Sequence, residues 1–420
     1  MLRNVACSSL IVFGLLVLAG CGSSSKTAKP PATATVAAAT TATTTTSASF
    51  VPATCTAQGS NAVQCTLPDV ASVPAFNLQT LLSEAQAVNS SVTASTPMVI
   101  TAFGAVGHGG YAAAAGDPGS HGDGGEAQTT TTISAYEAAY GTPALYYFLG
   151  MAGAGTYSGI WKGGVGGLGG ASTIVSPYNL TSSASTPKLG CITGVSGQYN
   201  ESGCSSTTVV LIAGGGGGGG EGATCDGGDG GDGGTAVATT SGPASDAGGS
   251  GGGTGCYGGH GGHGGSQGNG GSGGSGGDGV DHHAGGDGND GAGGLGGDVH
   301  TSDGSSPTMP WTNVGYCLYK IGNSGSGSNT CPVSQSSPPE WGKGGEGQWR
   351  GSAQPVGGGG GGGGGWGGGG GGGGGGNSDP GGGGGGSGSF AAQSTTATPS
   401  GFTTPSNPGS DGSVIVTFVT

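Results

Sequence analysis

Thr-Thr-Val-Val-Leu-Ile-Ala-Gly-Gly-Gly-Gly-Gly-Gly-Gly, residues 207–220, holds both halves of the architecture in fourteen positions. The β-branched run Thr207 to Ala213 is strand-forming, and the chain then passes directly into glycine with no turn residue between them. The same grammar recurs outward in both directions. Val99 to Phe103, Ala127 to Ser134, Ala144 to Leu149, Ala171 to Ser176 and Ser413 to Val419 are all rich in Val, Ile, Thr, Tyr or Phe and bounded by Gly or Pro. A set of short β-rich runs with such punctuation predicts a β-sandwich. Roughly two hundred residues separate Ala213 from Ser413, so the glycine-rich stretch between them reads as an insertion in the sandwich.

The insertion is periodic. Cys225-Asp-Gly-Gly-Asp-Gly-Gly-Asp-Gly-Gly234 and Gly258-Gly-His-Gly-Gly-His-Gly-Gly265 repeat every three residues. An extended helix of the polyproline II type turns once per three residues and has no internal hydrogen bonds. Its amides and carbonyls must bond to neighbouring segments, and glycine permits that approach from several sides. A bundle of polyglycine II helices is the ordered solution. Collagen is the rival for a three-residue glycine repeat, but it needs far more than 21 prolines in 420 residues, and here two of every three repeat positions are Gly. Gly357 to Gly365 and Gly367 to Gly376, divided by Trp366, fit the same array or are flexible chain.

Composition bounds the function. With 110 glycines, 7% charged and 6% aromatic residues, the chain is far from an average globular domain. The formal charge is -14, and no Lys or Arg lies between Lys188 and Lys320, which argues against nucleic acid as a partner because phosphate contacts need basic side chains.

The N-terminus reads as a signal peptide over residues 1–20, with Arg3, an apolar run from Leu10 to Leu18 and small residues after it. The run falls short of the about 20 apolar residues that a spanning helix needs. Leu18-Ala19-Gly20-Cys21 resembles a bacterial lipobox, which makes Cys21 the lipidated, palmitate-bearing first residue of the mature chain and predicts a membrane anchor in the cell envelope. Gly22 after the cysteine resembles the pattern of Gram-negative lipoproteins, a resemblance that implies the outer membrane, with the protein facing outward. Residues 21–50 are Ser/Thr/Ala-rich and cannot bury a core, so they form a disordered tether.

Setting aside Cys7 and Cys21 leaves eight cysteines, Cys55, Cys65, Cys191, Cys204, Cys225, Cys256, Cys317 and Cys331. An even set in an exported chain predicts disulfides. Spacing suggests pairing between sequence neighbours and leaves the connectivity open. In residues 51–97 a disulfide loop precedes one helix over Phe76 to Val88, with Leu78, Leu81, Leu82, Ala85 and Val88 at helical spacing, Asn77 as N-cap, and Phe76 against Leu81 as a staple. Residues 98–420 form the glycine-rich β domain.

Signs of chemistry are sparse. Gly270-Gly-Ser-Gly-Gly274 has the Gly-x-Ser-x-Gly spacing of hydrolases, but no helix-forming run follows it. Lys343 is followed by Gly344, so no phosphate-binding loop is present. His260 and His263, like successive members of Asp226, Asp229 and Asp232, fall about 9 Å apart on a threefold extended helix, too far to share one ion. His282, His283 and His300 lie in the same stretch. Residues 273–281 match a calcium β-roll nonapeptide and residues 285–293 nearly do, but their starts are 285 − 273 = 12 residues apart, which breaks the nine-residue turn. No metal site or other cofactor is expected, zinc or nickel at the histidines and calcium at the nonapeptides being the weaker alternatives, and no catalytic residue set can be assembled.

Val99-Ile-Thr-Ala-Phe-Gly-Ala105 with Gly109-Gly110, then residues 163–175, then Val209 to Gly220, and the closing Asp411-Gly-Ser-Val-Ile-Val416 together resemble the glycine-rich extracellular domain of the anaplastic lymphoma kinase and leukocyte tyrosine kinase receptors, and bacterial glycine-rich surface proteins. The resemblance covers about Met98 to Thr420. It implies a TNF-like β-sandwich carrying a polyglycine II bundle. It does not carry over cytokine recognition, since none of that family's ligand-contacting residues can be matched. The expectation is a non-catalytic surface protein for display or adhesion. Trp311, Tyr316, Tyr319, Trp341 and Trp349 would meet a surface protein or glycan, or else cap the core. The alternatives are a structural envelope or matrix protein without a specific ligand, and a calcium-dependent exported protein.

Overall fold

The computed structural model describes residues 53–68, 75–110, 116–153, 166–177, 209–254, 258–265, 272, 358–375 and 379–420. The fold is mainly β, with two six-stranded sheets and two helices among these residues. The first sheet has the order β1 (Thr54–Gln58), β2 (Ala62–Thr66), β12 (Ser413–Val419), β4 (Met98–Phe103), β5 (Glu126–Thr131), β9 (Thr235–Val237). The second runs β10 (Ala244–Asp246), β11 (Ser389–Ala391), β8 (Leu211–Ala213), β7 (Thr173–Ser176), β6 (Ala144–Phe148), β3 (Ala75–Asn77). Every pairing is antiparallel except β5 with β9.

Alternation selects the core. In β4, Met98, Ile100 and Ala102 join one buried apolar cluster with Val414, Val416 and Phe418 of β12 and Ala127 of β5. The same cluster takes Leu145 and Tyr147 of β6, Val175 of β7, Leu211 and Ala213 of β8, and Ala391 of β11, so one core receives side chains from both sheets. The strands expected at Val99, Ala144, Ala171 and Thr207 begin one residue earlier, at the same residue, and two and four residues later; the last lies partly outside the described residues.

Helix α1 (Leu78–Val88) begins two residues later than the spacing predicts, because Phe76 and Asn77 pair with β6 as the end of β3. Asn77 caps it as expected, its side chain accepting from the Gln79 N–H at 2.8 Å. Phe76 and Leu81 are both buried. A second helix, α2 (Ile133–Tyr140), corrects the single-helix expectation and cuts the predicted strand Ala127 to Ser134 at Thr131. The physical reason is capping at both ends. The Thr132 hydroxyl accepts from the Ala135 N–H at 3.0 Å, and Gly141, at φ 68°, closes the C-terminus with its N–H on the Glu137 carbonyl at 2.8 Å. Tyr136 is buried and packs against Tyr140 with the rings tilted by 54° and their centroids 4.7 Å apart.

The cysteine loop of residues 51–97 is a hairpin. Gly59, at φ 65°, turns β1 into β2, which sets Cys55 opposite Cys65 in register and joins them by a disulfide. β2 then pairs with the C-terminal strand β12 over Ala62 to Thr66, so this segment shares a sheet with the chain's last residues. The glycine-rich stretch also contributes β9, β10 and β11 to the sheets, and so it is woven into them at several points where a simple insertion would leave and return once.

Glu126 opens β5, its backbone N–H on the Gly234 carbonyl at 3.0 Å, and burial pushes its carboxyl up from the usual carboxylate range. The folded state therefore holds this proton more tightly than the unfolded chain does. The associated stability is complete below the unfolded value and is lost as pH rises through the folded one. Glu126→Gln should raise the melting temperature near neutral pH and leave it unchanged in acid. Thermal unfolding followed by circular dichroism at both pH values would show the difference.

Candidate functional site

The strands run straight into glycine. β4 continues as residues 104–110, β8 as 214–223 and β10 as 247–253; residues 116–125, 225–234 and 381–388 feed β5, β9 and β11. In a strand successive N–H groups point to two opposite neighbours. In these segments they follow a three-residue cycle instead, which is possible only where no Cβ blocks the third direction.

Segment 214–223 shows the cycle in full. Gly216 and Gly219 donate to Ala105 and His108 (3.0 and 2.9 Å), Gly217 and Gly220 to Gly231 and Gly228 (2.8 and 2.7 Å), and Gly215 and Gly218 to Gly364 and Gly361 (2.8 and 2.7 Å). Its carbonyls accept from three further segments: from Gly119 and Gly122 of 116–125, from Gly167 and Gly170 of 166–171, and from Gly381 and Gly384 of 381–388. It is thus bonded to six neighbours. Segment 381–388 has the same environment. It donates to 214–223, 367–375 and 247–253, and accepts from 358–365, 258–265 and 225–234. A buried backbone in such a place leaves almost no amide or carbonyl unsatisfied, which offsets the missing side-chain packing.

The acidic repeat has a structural task. The Asp226, Asp229 and Asp232 side chains accept from the backbone N–H groups of Asp117, Ser120 and Asp123 at 2.9, 2.8 and 2.8 Å. Glycines Gly227, Gly230 and Gly233 return the bond to the carbonyls of the same three residues, each at 2.8 Å. The three-residue period therefore places each carboxylate over an amide at the edge of the array. The Ser120 hydroxyl adds a second bond to Asp229 at 2.8 Å. Asp229→Ala removes both contacts and should cost about 1 to 2 kcal/mol, reduced from the charged hydrogen-bond range by exposure. Asp229→Asn, which keeps the acceptor, should recover most of that loss in chemical denaturation.

Glu221, fully buried, was not marked by the sequence as a candidate. Its carboxylate accepts from the Gly358 N–H at 2.8 Å while its own N–H donates to the Gly358 carbonyl at 3.0 Å. This two-way clamp fixes the start of segment 358–365 in the array. A lone acidic residue after seven glycines was the available signal. Trp366, between the two longest glycine tracts, turns the chain with Gly367 at φ 78° and stacks on Phe390 of β11, with centroids 4.7 Å apart.

Of the residues singled out by sequence, Cys55 and Cys65 form the expected disulfide, and Cys225 is disulfide-bonded as well. Cys21, Cys191, Cys204, Cys256, Cys317, Cys331, Trp311, Tyr316, Tyr319, Trp341, Trp349, His282, His283 and His300 lie outside the described residues. His260 and His263 stand exposed on segment 258–265. No protein-family profile matches this sequence, and no curated protein matches it.

Proposed function

We propose that this chain is a non-catalytic surface-display protein, anchored to the outer membrane by lipid at Cys21 and held off it by the tether of residues 21–50. In this reading the two sheets form a TNF-like β-sandwich, and the threefold-bonded glycine segments are polyglycine II helices that make a rigid platform. The observation that carries it is that the described chain is bonded into the array on both sides of the aromatic-bearing stretch. Gly265 is tied to the Gly386 carbonyl at 3.1 Å before it, and Gly358 is clamped by Glu221 after it. Trp311, Tyr316, Tyr319, Trp341 and Trp349 all fall between those two ties. A platform whose own polar groups are consumed by main-chain bonds has little chemistry to offer, which leaves recognition to side chains displayed from it.

The test is a saturable-binding screen of cells carrying the full-length protein against surface glycans and proteins. The comparison is a variant in which residues 273–357 are replaced by a short Gly-Ser linker. Binding that saturates and vanishes with the replacement supports display. Equal binding by both forms, or none by either, sinks it in favour of a structural envelope role. Cys21→Ser should in addition move the protein out of the membrane fraction.

A further inference from the structure

Cys225 is disulfide-bonded, and its partner is neither Cys55 nor Cys65, which are bonded to each other. Register within the array selects the partner. Segments 225–234 and 247–253 run antiparallel as hydrogen-bonded neighbours, Gly249 donating to the Asp232 carbonyl and Gly252 to the Asp229 carbonyl, both at 2.6 Å. Each step of three along one segment is therefore matched by a step of three in the opposite direction along the other. Four positions before Asp229 stands Cys225, and four positions after Gly252 stands Cys256. Continued over those four positions, the register sets the two cysteines opposite each other. Main chains joined by N–H···O bonds lie about 5 Å apart, within the about 4.4 to 6.8 Å between Cα atoms that a disulfide spans.

Chain continuity brings Cys256 to the same place independently. It lies outside the described residues, but Thr254 and Gly258 on either side of it are described. Consecutive Cα atoms are about 3.8 Å apart, so Cys256 stands within about 7.6 Å of the Cα of each. Those two residues face one another, because a side chain on Gly258 would meet the Thr254 hydroxyl. Segment 258–265 then runs back along 247–253, with Gly251 donating to Gly262 at 2.8 Å and Gly248 to Gly265 at 2.9 Å. Strands β8 and β10 lead outward into 214–223 and 247–253, so both reversals stand at the end of the array remote from the sheets. At the first of them the Ala223 N–H donates to the Cys225 carbonyl at 3.0 Å. Cys204 is excluded by length. Its distance from Val209 is at most about 18 Å of extended chain, whereas segment 214–223 carries the chain about 28 Å beyond β8 before Cys225 is reached.

We infer that Cys225 is bonded to Cys256, a covalent staple at the turn end of the array that locks segment 247–253 onto segment 225–234. The inference rests on the register of the glycine segments and not on what the protein displays. The staple forms by thiol–disulfide exchange, in which the two thiols pass two electrons and two protons to the disulfide of an exchange catalyst that leaves as a dithiol. Its position has a mechanical sense. Apart from Ala247 and Ser250, segment 247–253 is all glycine, so main-chain bonds hold it with almost no side-chain packing. A covalent tie at its far end keeps that strip from peeling away.

Disulfide mapping tests the assignment on the full-length protein, purified without reductant and alkylated in acid. No Lys or Arg lies between Lys188 and Lys320, so trypsin leaves five cysteines on one fragment. Elastase with an Asp-specific protease cuts after Ala223 and before Asp226, which isolates Cys225. Mass spectrometry should find it linked to a peptide that contains Cys256, the two separating on reduction. A link to Cys191, Cys317 or Cys331, or an alkylated Cys225, overturns the proposal. Hydrogen exchange reads the lock. In Cys225→Ser the Gly249 and Gly252 amides should exchange at least tenfold faster than in the wild type, while those of Gly217 and Gly220 inside the array keep their rates. Cys256→Ser should have the same effect, and the double variant no larger one, because either change removes one and the same bond. Unchanged Gly249 and Gly252 rates refute the lock, and single-variant effects that add in the double variant refute the pairing. Should the variants fail to fold, the map of the wild type decides alone.

Discussion

Gly384→Ala should unfold or severely weaken the array, while Gly253→Ala, the same chemical change on the same kind of segment, should be close to neutral. Gly384 lies in segment 381–388, donates to Gly218 and accepts from Gly231, both at 2.8 Å. A methyl group on its Cα would press into the carbonyl oxygen of Gly361 and come within 2.9 Å of the Gly362 nitrogen. Both obstacles are main chain, held by bonds to further glycine segments, so neither can swing aside as a side chain would. Overpacking of an ordinary core costs about 1 to 3 kcal/mol because side chains shift. Here relief requires the separation of two bonded segments, so a loss of at least about 3 kcal/mol is expected. At Gly253 the nearest atom among the described residues, chain neighbours aside, is 3.9 Å away. There the methyl only restricts the unfolded chain, a gain of about 0.4 to 1 kcal/mol at a compatible position. Denaturant midpoints of the two variants give the comparison directly. Similar destabilisation by both would mean that the glycines serve turn flexibility and not close approach.

The parts of this fold that were legible in the sequence are those in which local chemistry and tertiary environment agree. Ser413 to Val419 alternates and is β-branched, and it lies at the centre of a sheet with Ser413 to Phe418 buried. Asn77 and the apolar spacing behind it define a helix in isolation, and α1 follows that pattern. The spacing of Asp226, Asp229 and Asp232 reappears as the spacing of their bonds to residues 117, 120 and 123, although the sequence gives no hint of which segment supplies those amides. The pairs are 109 residues apart, and only the return of the chain through β5 and β9 sets the register.

What was illegible depends on such distant partners. Residues 54–66 look like a polar disulfide loop, and they become strands because Val63 and Cys65 can be buried against β12, whose residues lie at the far end of the chain. The three-residue strands β9, β10 and β11 have no pattern of their own, and each exists because a glycine segment delivers it to a sheet edge or beside β8. Helix α2 was hidden by the opposite effect. The run of threonines before Ile133 raises the strand preference up to the residue that then serves as N-cap, and Gly141 was the stop signal that resolves the conflict. The candidate site divides on the same line. Aromatic residues can be singled out by type, whereas Glu221 has its place only through Gly358, which is 137 positions away.

Trp366→Ala is the second change expected to act strongly, and it does so without touching the glycine contacts. The indole is 8% exposed and stacks on Phe390 at an interplanar angle of 26°. Its backbone N–H also donates to the Gly388 carbonyl at 2.9 Å, at the junction where segment 381–388 becomes β11. One residue thus fastens the reversal between two glycine tracts to a sheet strand, in a region with few other side chains to pack. Truncating a buried Trp costs about 3 to 5 kcal/mol in a compact core. A value near the upper end is expected, because the glycines on either side have no side chains with which to fill the cavity. Trp366→Phe retains a ring over Phe390 and should recover about half of the loss. The local consequence is more specific than the global one. With the stack gone, the amides of Gly369, Gly370, Gly372 and Gly373, which bond to Gly363, His263, Gly360 and His260 at 2.8 Å, should exchange with solvent before those of β12. Exchange rates that rise together across the array and the sheets would instead show that the two unfold as a single cooperative unit and that Trp366 is no more than one contact among many.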